Sequence, residues 1–292
     1  MSTQPAFGLF KRRHAGFKKP AMADAMLILG LCMAAILVVL TLVFGLNPPQ
    51  SANTGSLMTR FKPPALDGYL LGTDQLGRSL AGRVAAGMPW ALGVAMVATS
   101  ISLIVGTAIG LVAASLDGWP RRIIRMVIDT VIAFPSLVIA VTVIALLGRG
   151  FWPLALTLGL ATWPISARVV FAEAMSIVQR DYVLAADLAG VAWPKIMVFH
   201  VLPALRPTLL TMFAFTFADM LIAESALSFL GLGVPLSAPS WGNILSESRE
   251  SLVVAPWMML APAAAIIFSV VALNLIGDGI SAISRRNSGR AS

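Results

Sequence analysis

Tyr182-Val-Leu-Ala-Ala-Asp-Leu-Ala-Gly190-Val-Ala-Trp-Pro-Lys-Ile-Met-Val-Phe-His-Val-Leu-Pro203 runs between two long apolar stretches of the chain. Tyr182 to Ala189 are helix-forming residues, and Gly190 turns the chain by taking a positive φ that other residues resist. Pro194 then suits the first turn of a second short helix, which Pro203 is expected to end. The reading is a helix–turn–helix, too long for a simple turn, that stands out from the apolar mass on either side. Its tip (Ala185, Ala186, Leu188, Ala189) is small and apolar, and apolar surface left outside lipid marks a docking site. The plainer alternative is a loop lying flat on a bilayer.

The rest of the chain says what that mass is. Of 292 residues 58% are hydrophobic and 12% charged, with mean hydropathy +0.87. Soluble domains carry about a quarter charged residues, so lipid is the expected solvent. Apolar runs long enough to span a bilayer recur while strand-like alternation is scarce, so the fold class is all-α and polytopic rather than a barrel. Six transmembrane helices are read at 23–46, 89–115, 124–147, 152–172, 208–232 and 257–283. The first is read as an uncleaved helix, since Asn47-Pro48-Pro49 follows it where a small-x-small cleavage site would stand.

Lys and Arg set the orientation. With the N-terminus in the cytoplasm, 15 of the 21 basic residues face inward, including Lys11, Arg121, Arg168, Lys195 and Arg285. That gives N-in/C-in, with a cytoplasmic tail at 1–22, an external segment at 47–88, a five-helix core at 89–283 and a second tail at 284–292. Within the core, loop 173–206 is cytoplasmic and segment 233–256 external. The net charge of +8 is then a matter of topology, and no nucleic-acid partner is implied. Cys32 is the single cysteine, which excludes an internal disulfide.

Chemistry-bearing motifs are few. Leu71-Gly-Thr-Asp-Gln-Leu-Gly-Arg-Ser79 approaches a phosphate-binding loop, but Arg78 stands where the lysine belongs and the segment is external. HExxH, Cys-x-x-Cys and GxSxG are absent, and the histidines are His14 and His200, so neither an enzyme nor a metal site is expected. Gly277-Asp278-Gly279 lacks the glycine that an intramembrane aspartyl protease would carry at Leu275. Charged groups inside spans are costly and face protein or water. Asp219 and Glu224, with Ser225 and Ser228, are therefore read as a polar strip along a translocation path. The alternative for Glu224 is a hydrogen-bonded helix contact; Asp129 and Asp278 are read as helix-end residues in water. Gly106 and Gly110 either mark a close helix crossing or reflect the frequency of glycine in membrane helices. Pro135, Pro164 and Pro262 lie in or near spans and loosen their hydrogen-bond ladders.

Stretch 182–203 resembles the EAA loop of permease subunits of bacterial ATP-binding cassette (ABC) importers. Ala185, Ala186, Gly190, Leu202 and Pro203 match, while Leu184 stands in place of the usual glutamate. Leu71 to Arg78, Ala133-Phe-Pro-Ser136, Leu227 to Gly233, Pro239-Ser-Trp-Gly-Asn243, Ala255-Pro-Trp257 and Leu273 to Gly279 narrow the resemblance. They point to second-subunit permeases of dipeptide, oligopeptide or nickel importers, over residues 65–283. The resemblance implies a type I importer permease in the cytoplasmic (inner) membrane, taking up peptides, with nickel chelates or haem as the alternative cargo. An ion-coupled secondary transporter using Asp219 and Glu224 is the rival from another class. The partners it implies are a second permease subunit in a heterodimer, one or two ABC ATPase subunits and an external substrate-binding protein. ATP and Mg would be bound by the ATPases, with no cofactor on this chain. Tyr182, Val183, Leu184, Ala185, Ala186, Asp187, Leu188, Ala189, Gly190 and Trp193 would dock on an ATPase as a coupling helix. Pro239, Ser240, Trp241 and Asn243 would meet the binding protein.

Overall fold

The computed structural model describes residues 20–46, 52–65, 68–235 and 238–288. Most of the N-terminal tail and the last four residues lie outside them. Eleven α-helical segments occur among the described residues, and no named strand. Five are long and apolar enough to cross a membrane: α1 (Pro20–Leu46), α2 (Leu80–Ser115), α5 (Phe151–Val178), α9 (Arg206–Phe229) and α11 (Trp257–Ser288). The bent pair α3 (Gly118–Ile132) and α4 (Ser136–Leu147) makes a sixth span if counted as one. Four shorter segments follow the sequence between or beside these: α6 (Asp181–Leu188), α7 (Trp193–Ile196), α8 (Leu202–Ala204) and α10 (Trp241–Ser248).

Several boundaries differ from the sequence reading, each for a local reason. The second span begins at Leu80 rather than 89, with Pro89 inside it. Ser79 caps this earlier start by accepting a hydrogen bond from the Gly82 N–H at 3.3 Å. The third span is two helices meeting at 80°, because Pro135 has no N–H and disfavours helical geometry at Phe134. Pro164 and Pro262 stay inside continuous helices. The last span runs on to Ser288, so the start of the expected tail is helical.

The main core gathers around α2, where Leu80, Val84, Ala91 and Val94 meet Leu154 and Leu158 of α5, Phe217 and Leu221 of α9, and Leu273 of α11. Of the two readings of the glycine pair, close crossing is the observed one. A Cβ on Gly110 would stand 2.8 Å from the Ala167 carbonyl oxygen of α5. At this crossing the buried Ser102 and Ser166 hydroxyls lie 3.1 Å apart. On α1, Ala23, Gly30 and Leu37 are buried at seven-residue spacing, the period of one packed face. Ile28, Leu31, Val38 and Val39 on the same helix are exposed, as a lipid-facing surface requires.

Connectivity sorts the short elements to two ends. Helices α6 to α8 precede α9, and α10 follows it. With 24 residues at ~1.5 Å each, α9 separates them by about 36 Å.

Candidate functional site

At one end, α6 to α8 build a knob. Asp181 sits in the first turn of α6, where a carboxylate complements the helix dipole. The helix stops at Gly190, whose φ is +79°. The Gly190 N–H donates to the Asp187 carbonyl at 2.9 Å and the Val191 N–H to the Ala186 carbonyl at 3.1 Å. These are the two bonds of a Schellman cap, which needs a residue that tolerates the left-handed region. Pro194 then lies in the first turn of α7, as its missing N–H permits.

Pro203 does not end the second helix as expected. Residues Met197–Val201 widen into a π-turn, with the Leu202 N–H bonded to the Met197 carbonyl. The chain passes through α8 into α9. Inserting a wide turn absorbs the missing Pro203 N–H without stopping the helix.

A hydrophobic cluster separate from the main core holds the knob: Val183, Ile196, Met197, Val201 and Leu205 pack with Ala114 of α2 and with Val170, Ala174 and Ile177 of α5. Leu188 is 89% exposed, and Tyr182 and Leu184 are also exposed. Ala186 and Trp193, expected at the outer surface, are half-buried against this cluster instead. Helical periodicity turns Ala186 inward, because it lies three residues beyond the buried Val183.

The opposite end is a clasp. Asp74 is fully buried and accepts from the Leu76 and Arg78 N–H groups at 2.8 and 2.9 Å. It also accepts from Arg78 Nε at 2.7 Å and Arg83 Nη1 at 3.0 Å. Glu247 of α10 takes a forked pair from Arg83, Nη1 at 2.5 Å and Nη2 at 2.9 Å. Trp241 Nε1 donates to the Val84 carbonyl at 2.8 Å, and Trp257 Nε1 to the Thr73 carbonyl at 3.3 Å. Segment 71–79 is thus the anchor that fixes α10 to the start of α2. Sequence reasoning missed Arg83 and Glu247; the available signal was the i, i+4 pair Asp74 and Arg78.

Burial overturns one expectation at this end. Ser240, Trp241 and Asn243 have no exposed surface, so their side chains do not meet an external partner. Ser240 caps α10 through the Asn243 N–H, and Asn243 Nδ2 donates to the Pro235 and Ala238 carbonyls. Pro239 is half-buried. The surface here is formed by Arg249, Glu250, Leu252, Val253 and Val254.

The polar strip divides. Glu224 is fully buried and accepts from Ser228 at 2.8 Å and Ser225 at 3.2 Å. These three form a closed contact rather than the wall of a passage. Asp219, five residues earlier, falls about 140° around the helix. It lines a cavity of about 320 Å³ with the hydroxyl residues Ser136, Thr162, Ser166 and Thr216. Asp129, expected in water at a helix end, is exposed and paired with Arg168. Among the described residues no three His, Cys, Asp or Glu side chains come together as metal ligands.

Comparison with known proteins bears on this arrangement. The family described as "Binding-protein-dependent transport system inner membrane component" matches residues 106–288. A protein of Brucella suis biovar 1 (strain 1330), provisionally named a peptide transport system permease, is 38% identical over 255 residues, 86% of this chain and 84% of that one. The peptide transport system permease protein SapC of Escherichia coli O6:H1 is 32% identical over 263 residues, 88% of this chain and 89% of its own length. The di/tripeptide transport system permease protein DppC of Pseudomonas aeruginosa is 35% identical over 212 residues, covering 73% and 70% respectively.

Proposed function

The chain belongs to the family of binding-protein-dependent transport system inner membrane components, and from that premise we propose that it forms half of a peptide-conducting pore powered by ATP hydrolysed elsewhere. It is a multi-pass permease subunit of an ABC importer in the cytoplasmic membrane, with the type I permease fold. Family membership implies ATPase and substrate-binding partners. The finer arrangement proposed is a heterodimer with a second permease, one or two ATPase polypeptides that bind ATP and Mg, and no chemistry on this chain. Peptide cargo is inferred from the names of SapC and DppC.

The knob carries the reading. It presents Tyr182, Leu184 and Leu188 outward while its underside is bonded by packing to α2 and α5. A partner that grips the outer face moves those two helices as a unit, because a close-packed cluster transmits displacement rather than absorbing it. Closure of the ATPases on ATP would rock the bundle between its inward- and outward-facing arrangements. In this chain the contact made by Leu184 is apolar, where the family pattern has a carboxylate.

The test is affinity purification of the full chain from its native membrane, followed by reconstitution with its co-isolated companions and binding protein in proteoliposomes. An ATP-hydrolysing protein co-purifies, and labelled peptide accumulates only with hydrolysable ATP. Uptake that survives ATP removal and stops with a protonophore would instead make this an ion-coupled carrier.

A further inference from the structure

Asp219 lies near the middle of α9, thirteen residues after Arg206 and ten before Phe229. A carboxylate at such depth is costly unless it faces water or a partner. Among the described residues it has neither a hydrogen-bond nor an ion-pair partner. Three other carboxylates are engaged by side chains: Glu224 by two serines, Asp129 by Arg168 and Asp74 by two arginines. The cavity that Asp219 lines carries hydroxyls and no basic side chain. Its wall includes Ser136, the first residue of α4 at the 80° break. Unwound backbone at membrane depth is tolerated where it lines a watered space.

Resting on the peptide-importer reading, we infer that this cavity is a waystation for the cargo's amino terminus, with Asp219 as the counter-charge to its α-ammonium group. The ammonium donates to the Asp219 carboxylate, and the Thr162 and Thr216 hydroxyls are placed to accept from its remaining N–H bonds. About 320 Å³ is at the lower end of ligand-pocket sizes, so one terminal residue enters while the rest of the peptide lies along the path. The site therefore reads a feature that all linear peptides with a free amino terminus share, and it is indifferent to side-chain sequence.

The experiment uses the assembled permease–ATPase complex in lipid nanodiscs without the binding protein. Ala223→Cys, on the cavity wall, is introduced together with Cys32→Ser. Its rate of modification by N-ethylmaleimide is measured against rising trialanine and, separately, N-acetyl-trialanine. Trialanine slows labelling and the acetylated peptide does not. In Asp219→Asn the trialanine concentration needed for half protection rises about tenfold, the loss of one charge-assisted hydrogen bond, and Asp219→Glu restores much of it. Equal protection by both peptides, unchanged protection in Asp219→Asn, or no protection in the parent each overturns the inference. ATP-driven peptide uptake by the same complex with its binding protein separates this failure from failure of the importer reading.

Discussion

The knob and the clasp sit at opposite ends of α9 and are built on opposite principles. The clasp buries charge: Asp74 and Arg83 are almost wholly enclosed, and every link in it is a directed bond, those to Glu247 joining groups far apart in sequence. The knob buries only hydrocarbon, with Ile196, Met197 and Leu205 inside, and leaves other hydrocarbon outside, with Leu188 almost fully exposed. A directed ionic lattice permits one relative position of its members and penalises all others. A hydrophobic patch on a separate small cluster can be seized and released without breaking anything specific. The lesson is a division of labour, in which one end holds α10 and α2 in register while the other, on the function proposed above, accepts an external push.

Removing the centre of the clasp breaks that division most severely. Asp74→Ala removes the buried carboxylate shared by two arginines, one of them 2% exposed, leaves both to Glu247 alone, and deprives the Leu76 and Arg78 N–H groups of their acceptor. Breaking a buried pair by deleting one partner costs about 3–5 kcal/mol. The expected outcome is a large drop in the melting temperature of the detergent-solubilised protein and little of it left in the membrane. A melting curve superimposable on the parent's would show that the network contributes no rigidity.

Gly190→Val separates the two ends by affecting transport rather than stability. A side chain there meets nothing within 4 Å, so no core is disturbed. The left-handed φ of +79° nevertheless costs a β-branched residue about 1–2 kcal/mol, and the turn reshapes to avoid it. Uptake falls about five- to thirtyfold, the population factor that ~1–2 kcal/mol of strain imposes when the docked turn must be restored. Melting temperature and membrane abundance stay close to the parent's. Full uptake in this variant would remove the knob from the coupling path.

How far these regions were legible follows from the range of their bonds. The knob's turn is local: Gly190 and Pro194 carry their own backbone preferences, so helix, turn and restart were readable from spacing alone. Its exit was not, because a π-turn at Met197–Val201 leaves no residue signature beyond Pro203. The clasp depends on Arg83 finding Glu247, 164 residues away, and no periodicity encodes that meeting. Trp241 and Asn243 were misjudged for the same reason. The resemblance implies that Trp241 meets the binding protein, whereas its indole N–H is satisfied by Val84, 157 residues earlier. Glu224 and Ser228, at i and i+4, were legible as neighbours; that their contact is closed depends on helices packed around them. The 80° break at Pro135 was legible only as a loosened ladder. Before it stands a helix with Arg121, Arg122 and Arg125, which does not continue the apolar axis of α4.

The smallest perturbation asks which solution each end faces. Leu188→Cys in the knob and Val253→Cys beside the clasp replace side chains that are 89% and 96% exposed, so each shifts stability by less than about 0.5 kcal/mol. With Cys32 changed to Ser in both, a membrane-impermeant maleimide is applied to intact spheroplasts and then to permeabilised ones. The distribution of Lys and Arg places the knob inside, so Val253→Cys reacts at once and Leu188→Cys only after permeabilisation. Adding the ATPase partner should then protect Leu188→Cys and leave Val253→Cys untouched, because only the knob is gripped. Reaction of Leu188→Cys in intact spheroplasts would place the knob on the side without ATP. In that case the two ends exchange roles, and the exposed apolar face would have to serve the binding protein instead.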